Sequence, residues 1–420
     1  MNATPSRIGF VSTHFSGTDD ISLETEKWAA VFQQMGHECF YFSGKSDRPQ
    51  ESSVVVPEAH FKHPDIKAIN RDLFDDLSRS SKTSGLVQAI RFHLKQHLYQ
   101  FLTTFDINLL VIENAFSLPM NVPLGLALSE LIAETNIPTI AHHHDFTWER
   151  NRFAVNTAGD YLRSSFPPIL PSIYHVVINS FAAQQLALRT GARSVLIPNV
   201  MDFDNLPPPP DEYALDLRES LGIGPEQHFL LQPTRIVPRK RIELAIELTQ
   251  RVDSDSVLVI THQSGDDSSA YEQRVREYAD LLGTRVIFGS ESINHHRGES
   301  DDGGKIYSLA DAYQQADLVT YPSTTEGFGN AFLETLYYRR PLVISNYAIL
   351  KTVIQPKGFR VIGFDDFIEN ETVKKALAIL DDPSIGEEMA EHNYRIARHH
   401  YSYRVLETNL ATILNQCMGS

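Results

Sequence analysis

The stretch Tyr321-Pro-Ser-Thr-Thr-Glu-Gly-Phe-Gly-Asn-Ala-Phe-Leu-Glu334 predicts a strand that runs through a glycine-bearing loop into a helix. Glycines let the backbone approach a ligand closely. The N–H groups at a helix N-terminus carry partial positive charge, which suits a diphosphate. The carboxylates of Glu326 and Glu334 accept hydrogen bonds from hydroxyl groups, so one suits a sugar and the other a ribose. The spacing alone fits a capped loop with two solvated glutamates equally well.

A second candidate segment lies upstream, at another predicted junction between a strand and a helix. Four cationic residues fall within seven positions there, namely Arg235, Arg239, Lys240 and Arg241. Arginine clamps phosphate through two parallel hydrogen bonds, and lysine contributes a point charge. A charge run is often only a solvated turn. Its position at the carboxyl end of a predicted strand favours an anion site instead.

Three histidines and an aspartate, His142-His143-His144-Asp145, follow a predicted strand in the first half of the chain. Side chains alternate along a strand, so at most His142 and His144 point the same way. Zinc would need further ligands at workable spacing, and the sequence offers none, so no metal is predicted. A histidine that contacts a sugar and a structural histidine both remain open. The loop from Thr13 to Ser22 equally fits a ligand loop or an ordinary polar connection.

Strands and helices alternate through most of the chain, and Pro207 to Pro210 interrupt the alternation. The pattern predicts an α/β protein of two Rossmann-like, doubly wound domains that face a central cleft. Proline runs are stiff and extended, so this one is predicted to belong to a linker. The predicted parts are a first domain at 1–200, a linker at 201–225, a second domain at 226–390, and a terminal helix at 391–420 that returns to the first domain.

The composition limits the classes of function. The chain has 420 residues and a formal net charge of -16, which disfavours nucleic acid as a partner. Its two cysteines, Cys39 and Cys417, do not support a disulfide framework, and a reducing cytoplasm is expected. No apolar run is long enough to span a membrane. The glycine-rich dinucleotide fingerprint, the P-loop and the nucleophile elbow of hydrolases are all missing from the sequence.

These stretches together resemble the retaining glycosyltransferases of family 4, a GT-B family. The family's two glutamates with seven residues between them match Glu326 and Glu334, and its Arg-to-Lys interval matches Arg235 and Lys240. The strand-end His-Asp pair matches His144 and Asp145. The stretches Ser-Gly-Thr-Asp and His-His-His-Asp-Phe-x-Trp-Glu-Arg also resemble a bacterial subgroup that includes mannosylglucosylglycerate-forming enzymes.

The resemblance implies a role for each matching residue. Glu326 would contact the transferred sugar, Glu334 the ribose, and His144 the donor sugar, while Arg235 and Lys240 would hold the diphosphate. The remaining donor-binding positions are Gly17, Gly327, Phe328, Gly329 and Asn330. The expected acceptor-side positions are Asp19, His142, Asp145 and Trp148.

The expected function is transfer of a hexose from a nucleotide-diphosphate sugar to a small polar acceptor, with retention of configuration and without a metal. The polar insertion 291–305 lies near the expected base site, so UDP, GDP and ADP all remain open. Monomer and homodimer also remain open. The alternatives are a nucleotide-sugar epimerase or sugar phosphorylase on the same fold, and a non-catalytic protein that binds nucleotide sugars.

Overall fold

The computed structural model describes residues 5–17, 19–74, 76–263, 269–300 and 303–419. Thr18 of the predicted ligand loop and residues 301–302 of the insertion lie outside the described residues. The chain divides into two compact units. The first unit comprises Met1–Val200 and Tyr403–Ser420, and the second comprises Met201–Ser402.

The first unit is built on a seven-stranded sheet in which all neighbouring strands pair in parallel. The strands are β1 (Arg7–Val11), β2 (Glu38–Ser43), β3 (Ser53–Val55), β4 (Leu109–Glu113), β5 (Thr139–His143), β6 (Ile173–Val177) and β7 (Ser194–Leu196). Their order is β3-β2-β1-β4-β5-β6-β7. The order therefore reverses between β1 and β4, and ligands of doubly wound sheets bind outside the carboxyl ends of strands at such a point.

Helices cover both faces of this sheet, because parallel strands that are apolar on both sides must be buried on both sides. They are α1 (Asp20–Gln34), α2 (Pro64–Phe74), α3 (Ser81–Thr104), α4 (Val122–Thr135), α5 (Gly159–Ser165) and α6 (Ser180–Thr190). Trp28, Val31 and Phe32 of α1 are buried in the core on one face of the sheet.

The second unit holds a six-stranded sheet whose neighbouring strands also pair in parallel. In chain order its elements are α7 (Glu212–Leu215), α8 (Leu217–Ser220), β8 (Phe229–Gln232), α9 (Ile242–Val252), β9 (Val257–Ile260), α10 (Ser269–Leu282), β10 (Arg285–Phe288), β11 (Ile293–Asn294), β12 (Gly298–Glu299), β13 (Lys305–Ser308), α11 (Leu309–Gln315), β14 (Leu318–Tyr321), α12 (Asn330–Tyr337), β15 (Leu342–Ser345), β16 (Ile362–Phe364), α13 (Asn370–Asp381) and α14 (Pro383–Tyr401). Strands β11, β12 and β13 form a separate small sheet at the insertion.

The strand order of the larger sheet is β10-β9-β8-β14-β15-β16, which reverses between β8 and β14. The cationic run follows β8, and the Glu326 loop follows β14. The two segments that the sequence singled out therefore leave the same edge of the sheet from adjacent strands. Two Rossmann-like units are thus present, and the predicted fold class is confirmed.

The connecting and terminal segments are ordered parts of the two units. The region predicted as a linker, 201–225, contains α7 and α8 and buries Phe203 and Leu217 in the second unit. The chain ends in α15 (Tyr403–Met418), which follows α14 after a break at Ser402. Leu406, Leu410 and Ile413 of α15 are fully buried in the core that contains Trp28 of the first unit. No described helix combines the length and the apolar character that crossing a membrane requires.

Candidate functional site

The switch point of the second unit brings two cations onto one carboxylate. Lys240 Nζ donates to Glu326 Oε1 at 2.5 Å, and Arg239 Nη1 donates to the same oxygen at 2.8 Å. The Tyr321 hydroxyl accepts from Lys240 Nζ at 3.3 Å. We call Arg239, Lys240, Tyr321 and Glu326 the cationic cluster. Lys240 and Glu326, which the sequence predicted to act in one site, are therefore in direct contact.

The cationic cluster is shielded from water. The side chain of Lys240 is 8% exposed and that of Glu326 is 6% exposed. Burial would raise the pKa of Glu326, but the charges of Lys240 and Arg239 lower it to about 2. Interactions between charges are stronger where solvent is excluded. The cluster therefore presents a buried ammonium group beside the guanidinium of Arg239, which is 29% exposed.

The loop after β14 aims the start of α12 at the same region. Gly329 has φ = +107°, a backbone conformation that only glycine adopts without strain. A Cβ there would lie 3.0 Å from the Tyr321 hydroxyl. Helix α12 begins at the next residue, Asn330, which is buried. The amide groups at this helix start and the nearby cations suit a diphosphate.

The other predicted donor-binding residues occupy different surroundings. Gly327 is exposed, whereas the Phe328 side chain is buried against Tyr401 at 5.0 Å between ring centroids. Glu334 lies one turn into α12, is half-buried, and accepts a hydrogen bond from the Tyr313 hydroxyl at 2.9 Å. The assignments of Phe328 to the donor and of Glu334 to the ribose stay predictions.

Arg235 does not belong to the cationic cluster. Its side chain is exposed and forms no hydrogen bond or ion pair with another of the described residues. Arg239, four residues later, supplies the second cation instead. Arg239 is one of the four cationic residues that the sequence singled out. Spacing could not decide which arginine turns toward Glu326, because the short helical turn Pro238–Lys240 and Arg241 in the left-handed region, with φ = +45°, set the direction of the chain.

In the first unit, the carboxyl ends of β4 and β5 form a second polar group. His142 Nδ1 lies 3.0 Å from Glu113 Oε2, and His144 Nε2 lies 3.5 Å from the same oxygen. The His142 ring stacks on Trp28 at 4.3 Å between centroids. His143 points the other way, toward Ser117 and His175, as strand alternation predicts. Sequence reasoning missed Glu113, because it lies on a different strand 29 positions upstream.

Burial and charge oppose each other in this group, which we call the Glu113 triad (Glu113, His142 and His144). Burial would raise the pKa of Glu113, but His142 and His144 lower it to about 2. Burial would lower the pKa of His144, but the hydrogen bond and the charge of Glu113 raise it above its usual value. The carboxylate therefore stays ionised, and His144 holds a proton more readily than an ordinary histidine.

The Glu113 triad also has the residue types of a metal site. Its three potential ligand atoms lie within 4.8 Å of one another, and all three residues are buried. The expectation that no further ligand accompanies the histidines was wrong, because Glu113 from the neighbouring strand lies beside them. Oε2 of Glu113 is already hydrogen-bonded to His142 Nδ1. The expectation that no metal is required stays a prediction.

The predicted loop and acceptor-side residues are held by local contacts. Asp19 caps α1, accepting from the Ile21 amide at 3.1 Å and from the Ser22 hydroxyl at 2.6 Å. Gly17 is exposed at φ = +80°. Asp145 accepts from Arg150 Nε at 2.7 Å, so that aspartate is paired.

Trp148, the remaining acceptor-side residue, stacks on Phe146 with ring centroids 4.5 Å apart. The Arg189 guanidinium lies over the Trp148 ring at 5.2 Å. The indole is half-buried and therefore offers part of its surface to a ligand.

Comparison with known proteins places these features in context. The family model described as "Glycosyl transferases group 1" matches residues 234–382, which span the cationic cluster. The chain is 34% identical to the mannosylglucosylglycerate synthase of Thermotoga maritima, over 95% of this chain and 97% of that protein. It is 30% identical to the synthase of the same name from Petrotoga mobilis, over 87% of this chain and 88% of that protein.

A solved structure, Anabaena HepE in complex with UDP-glucose, superposes with a TM-score of 0.67 at 13% identity. The match covers 98% of this chain and 99% of that one. At this level of identity the similarity concerns the fold alone.

Proposed function

Because this chain belongs to the glycosyltransferase family that includes the mannosylglucosylglycerate synthases, we propose that it transfers a mannosyl group from a nucleoside-diphosphate sugar to a glucosylglycerate-type acceptor. The proposed reaction retains the configuration of the anomeric carbon. The proposed acceptor is small and polar, and it carries the carboxylate of glycerate. The proposed donor base is one of uracil, guanine or adenine.

The cationic cluster carries this proposal. A diphosphate leaving group gains negative charge as the glycosidic bond breaks, and buried cations stabilise that charge strongly. Lys240 and Arg239 are fixed beside the start of α12, so both kinds of anion-binding group converge on one place. In the proposed complex these two cations and the α12 amides bind the diphosphate. Because Glu326 already offsets one of the two cations, the α12 amides share the stabilisation of the diphosphate in this proposal, and no metal is assigned to the reaction.

Glu326 has two tasks in the proposed mechanism. Its ionised carboxylate holds Lys240 and Arg239 in place, and it accepts a hydrogen bond from a hydroxyl of the transferred sugar. The acceptor hydroxyl attacks from the face that the diphosphate leaves, and a phosphate oxygen takes its proton. The protein contributes by positioning the reactants and by stabilising charge.

His144 contacts the transferred sugar in the proposed mechanism, as the family resemblance implies. Glu113 orients its ring and favours its protonated form. A protonated imidazole is a donor at both nitrogens, so His144 can donate to a sugar oxygen while it faces Glu113. Glu113 is thus a positioning residue in this proposal.

A panel of nucleotide sugars tests the proposal directly. Binding to the native state raises the melting temperature, so UDP-, GDP- and ADP-sugars are compared by thermal shift. The donor that stabilises the protein is then incubated with glucosylglycerate, and NMR of the product gives the anomeric configuration. A glycoside with the donor's configuration is expected. An inverted product would refute retention, whereas an isomerised nucleotide sugar or a sugar phosphate would identify an epimerase or a phosphorylase.

The variant Lys240→Met tests the role of the cationic cluster in the same panel. It should lose the thermal shift with the donor, because the buried ammonium that meets the diphosphate is gone. Normal binding and turnover of the donor by this variant would show that the cationic cluster takes no part in the reaction.

A further inference from the structure

A cavity of about 610 Å³ opens in the first unit, beside the segment that follows His144. We call it the arginine pocket, and its lining includes Trp148, Arg150, Phe153, Arg163, Ile169 and Arg189. Ligand pockets for small molecules typically enclose about 300–1,000 Å³. The volume is therefore ample for a sugar joined to a short acid.

The charge of the arginine pocket is opposite to that of the whole protein. Three of its fourteen lining residues are arginines and none is acidic, although the chain has 53 acidic and 37 basic residues. Arg150 is bonded to Asp145. Neither Arg163 nor Arg189 forms an ion pair with any carboxylate of the described residues. Two guanidinium groups are thus left to attract an anion.

Neighbouring groups leave these two charges available. Arg189 Nε donates to the neutral side-chain oxygen of Gln185 at 3.1 Å. The carboxylate of Glu149 interacts electrostatically with Arg189, but its hydrogen bond goes to the Phe146 amide at 2.6 Å and not to the guanidinium. Arg163 lies on α5, and its side chain is exposed. An arginine in this condition binds a carboxylate through two parallel hydrogen bonds.

Apolar surfaces lie beside the charges. The Ile169 side chain, which is 55% exposed, lines the cavity together with the part of the Trp148 indole that Phe146 and Arg189 leave uncovered. The carbon-bound hydrogens of a sugar ring form an apolar face that packs on such surfaces. A ligand with a sugar ring at one end and an acid at the other would match both parts of the lining.

The arginine pocket is also joined to the predicted active-site segment. Its lining begins at Thr147, three residues after His144, and Arg150 reaches back to Asp145. We propose that the arginine pocket binds the acceptor as a sugar acid, with Arg163 and Arg189 holding its carboxylate. This inference rests on the proposed function for the identity of the acceptor.

The test compares an acidic acceptor with a neutral one of the same shape. Arg163→Met and Arg189→Met keep side-chain length and remove the charge. Each should raise the KM for glucosylglycerate by about 10-fold or more, since a charge-assisted hydrogen bond is lost. The KM for the uncharged glucosylglycerol and the KM for the donor should stay within about 2-fold of the wild-type values. Arg71→Met removes an exposed arginine of the same unit outside the pocket and should change neither.

Two results would overturn the assignment. One is an equal rise of KM for the acidic and the neutral acceptor, and the other is an unchanged KM for both. Isothermal titration with glucosylglycerate alone tests the pocket even if no donor is consumed. Failure of the proposed function is therefore distinguishable from failure of this inference. Tighter binding of inorganic phosphate than of glycerate would overturn the choice of a carboxylate.

Discussion

The substitution Glu113→Gln tests the Glu113 triad most directly, because the amide keeps the shape of the side chain and removes its charge. The pKa of Glu113 falls from an ordinary 4.5 to about 2 when the protein folds. The difference between these two pKa values corresponds to roughly 3 kcal/mol of stability at neutral pH. Glu113 is fully buried, so solvent screening does not reduce this figure much. The variant should be less stable by about that amount.

The dependence on pH gives a sharper result than the absolute stability. A carboxyl group with a depressed pKa contributes stability that is complete above pH 4.5 and is lost as the pH falls toward 2. Between pH 4.5 and about pH 3 the wild type should therefore lose about 2 kcal/mol more than the variant does. His60 and His175, whose pKa values burial lowers to about 4, titrate in the same window, but both are present in the wild type and in the variant, so their contributions cancel in the difference.

Urea unfolding followed by tryptophan fluorescence measures this difference in the right part of the chain. The two tryptophans, Trp28 and Trp148, both lie in the first unit, as does Glu113. Glu58→Gln is the control, since Glu58 meets His93 at 3.4 Å with both side chains partly exposed. Parallel stability curves for the wild type and Glu113→Gln between these pH values would refute the coupling.

Three further predictions concern the second unit and the metal. Arg235→Ala tests whether this arginine also binds the diphosphate, as the family resemblance implies. Turnover should fall by roughly 100-fold, with an unchanged melting temperature because the side chain is exposed. Near-normal turnover would leave the diphosphate to Lys240 and Arg239 without Arg235. Gly329→Ala should destabilise the second unit by roughly 1–3 kcal/mol through backbone strain, which lowers the melting temperature. Gly224→Ala is the control and should change the melting temperature little, because a Cβ there would be 3.5 Å from its nearest neighbour. Dialysis against EDTA should leave turnover unchanged; activity lost and then restored by Zn²⁺ would make the Glu113 triad a metal site.

Periodicity and turn chemistry predicted the fold class well. Strands β1, β4, β8 and β14 coincide with apolar runs of four or five residues. Each run is followed by a glycine-bearing or polar loop and then by a helix. Such signals are local: a buried strand needs continuous apolar residues, and a helix start needs a capping group. The Lys240 and Glu326 motifs were found for the same reason, since each follows directly after a strand.

The partners within each site were harder to predict. Glu113 lies at the end of an apolar strand and carries no local mark of its function. The choice between Arg235 and Arg239 depends on how the chain turns after β8. The arginine pocket collects residues from a loop, from α5 and from the end of α6, and these positions form no motif together.

The amino-acid sequence by itself determined the alternation of strands and helices, the two doubly wound units and the polar segments that follow their strands. These properties depend on the neighbours of each residue along the chain. Only the tertiary structure decided that Glu113 meets His142 and His144, that Arg239 meets Glu326, and that Arg163 and Arg189 line one cavity. Those contacts depend on strand order and on the direction of loops, which place residues far apart in sequence within a few ångströms of each other.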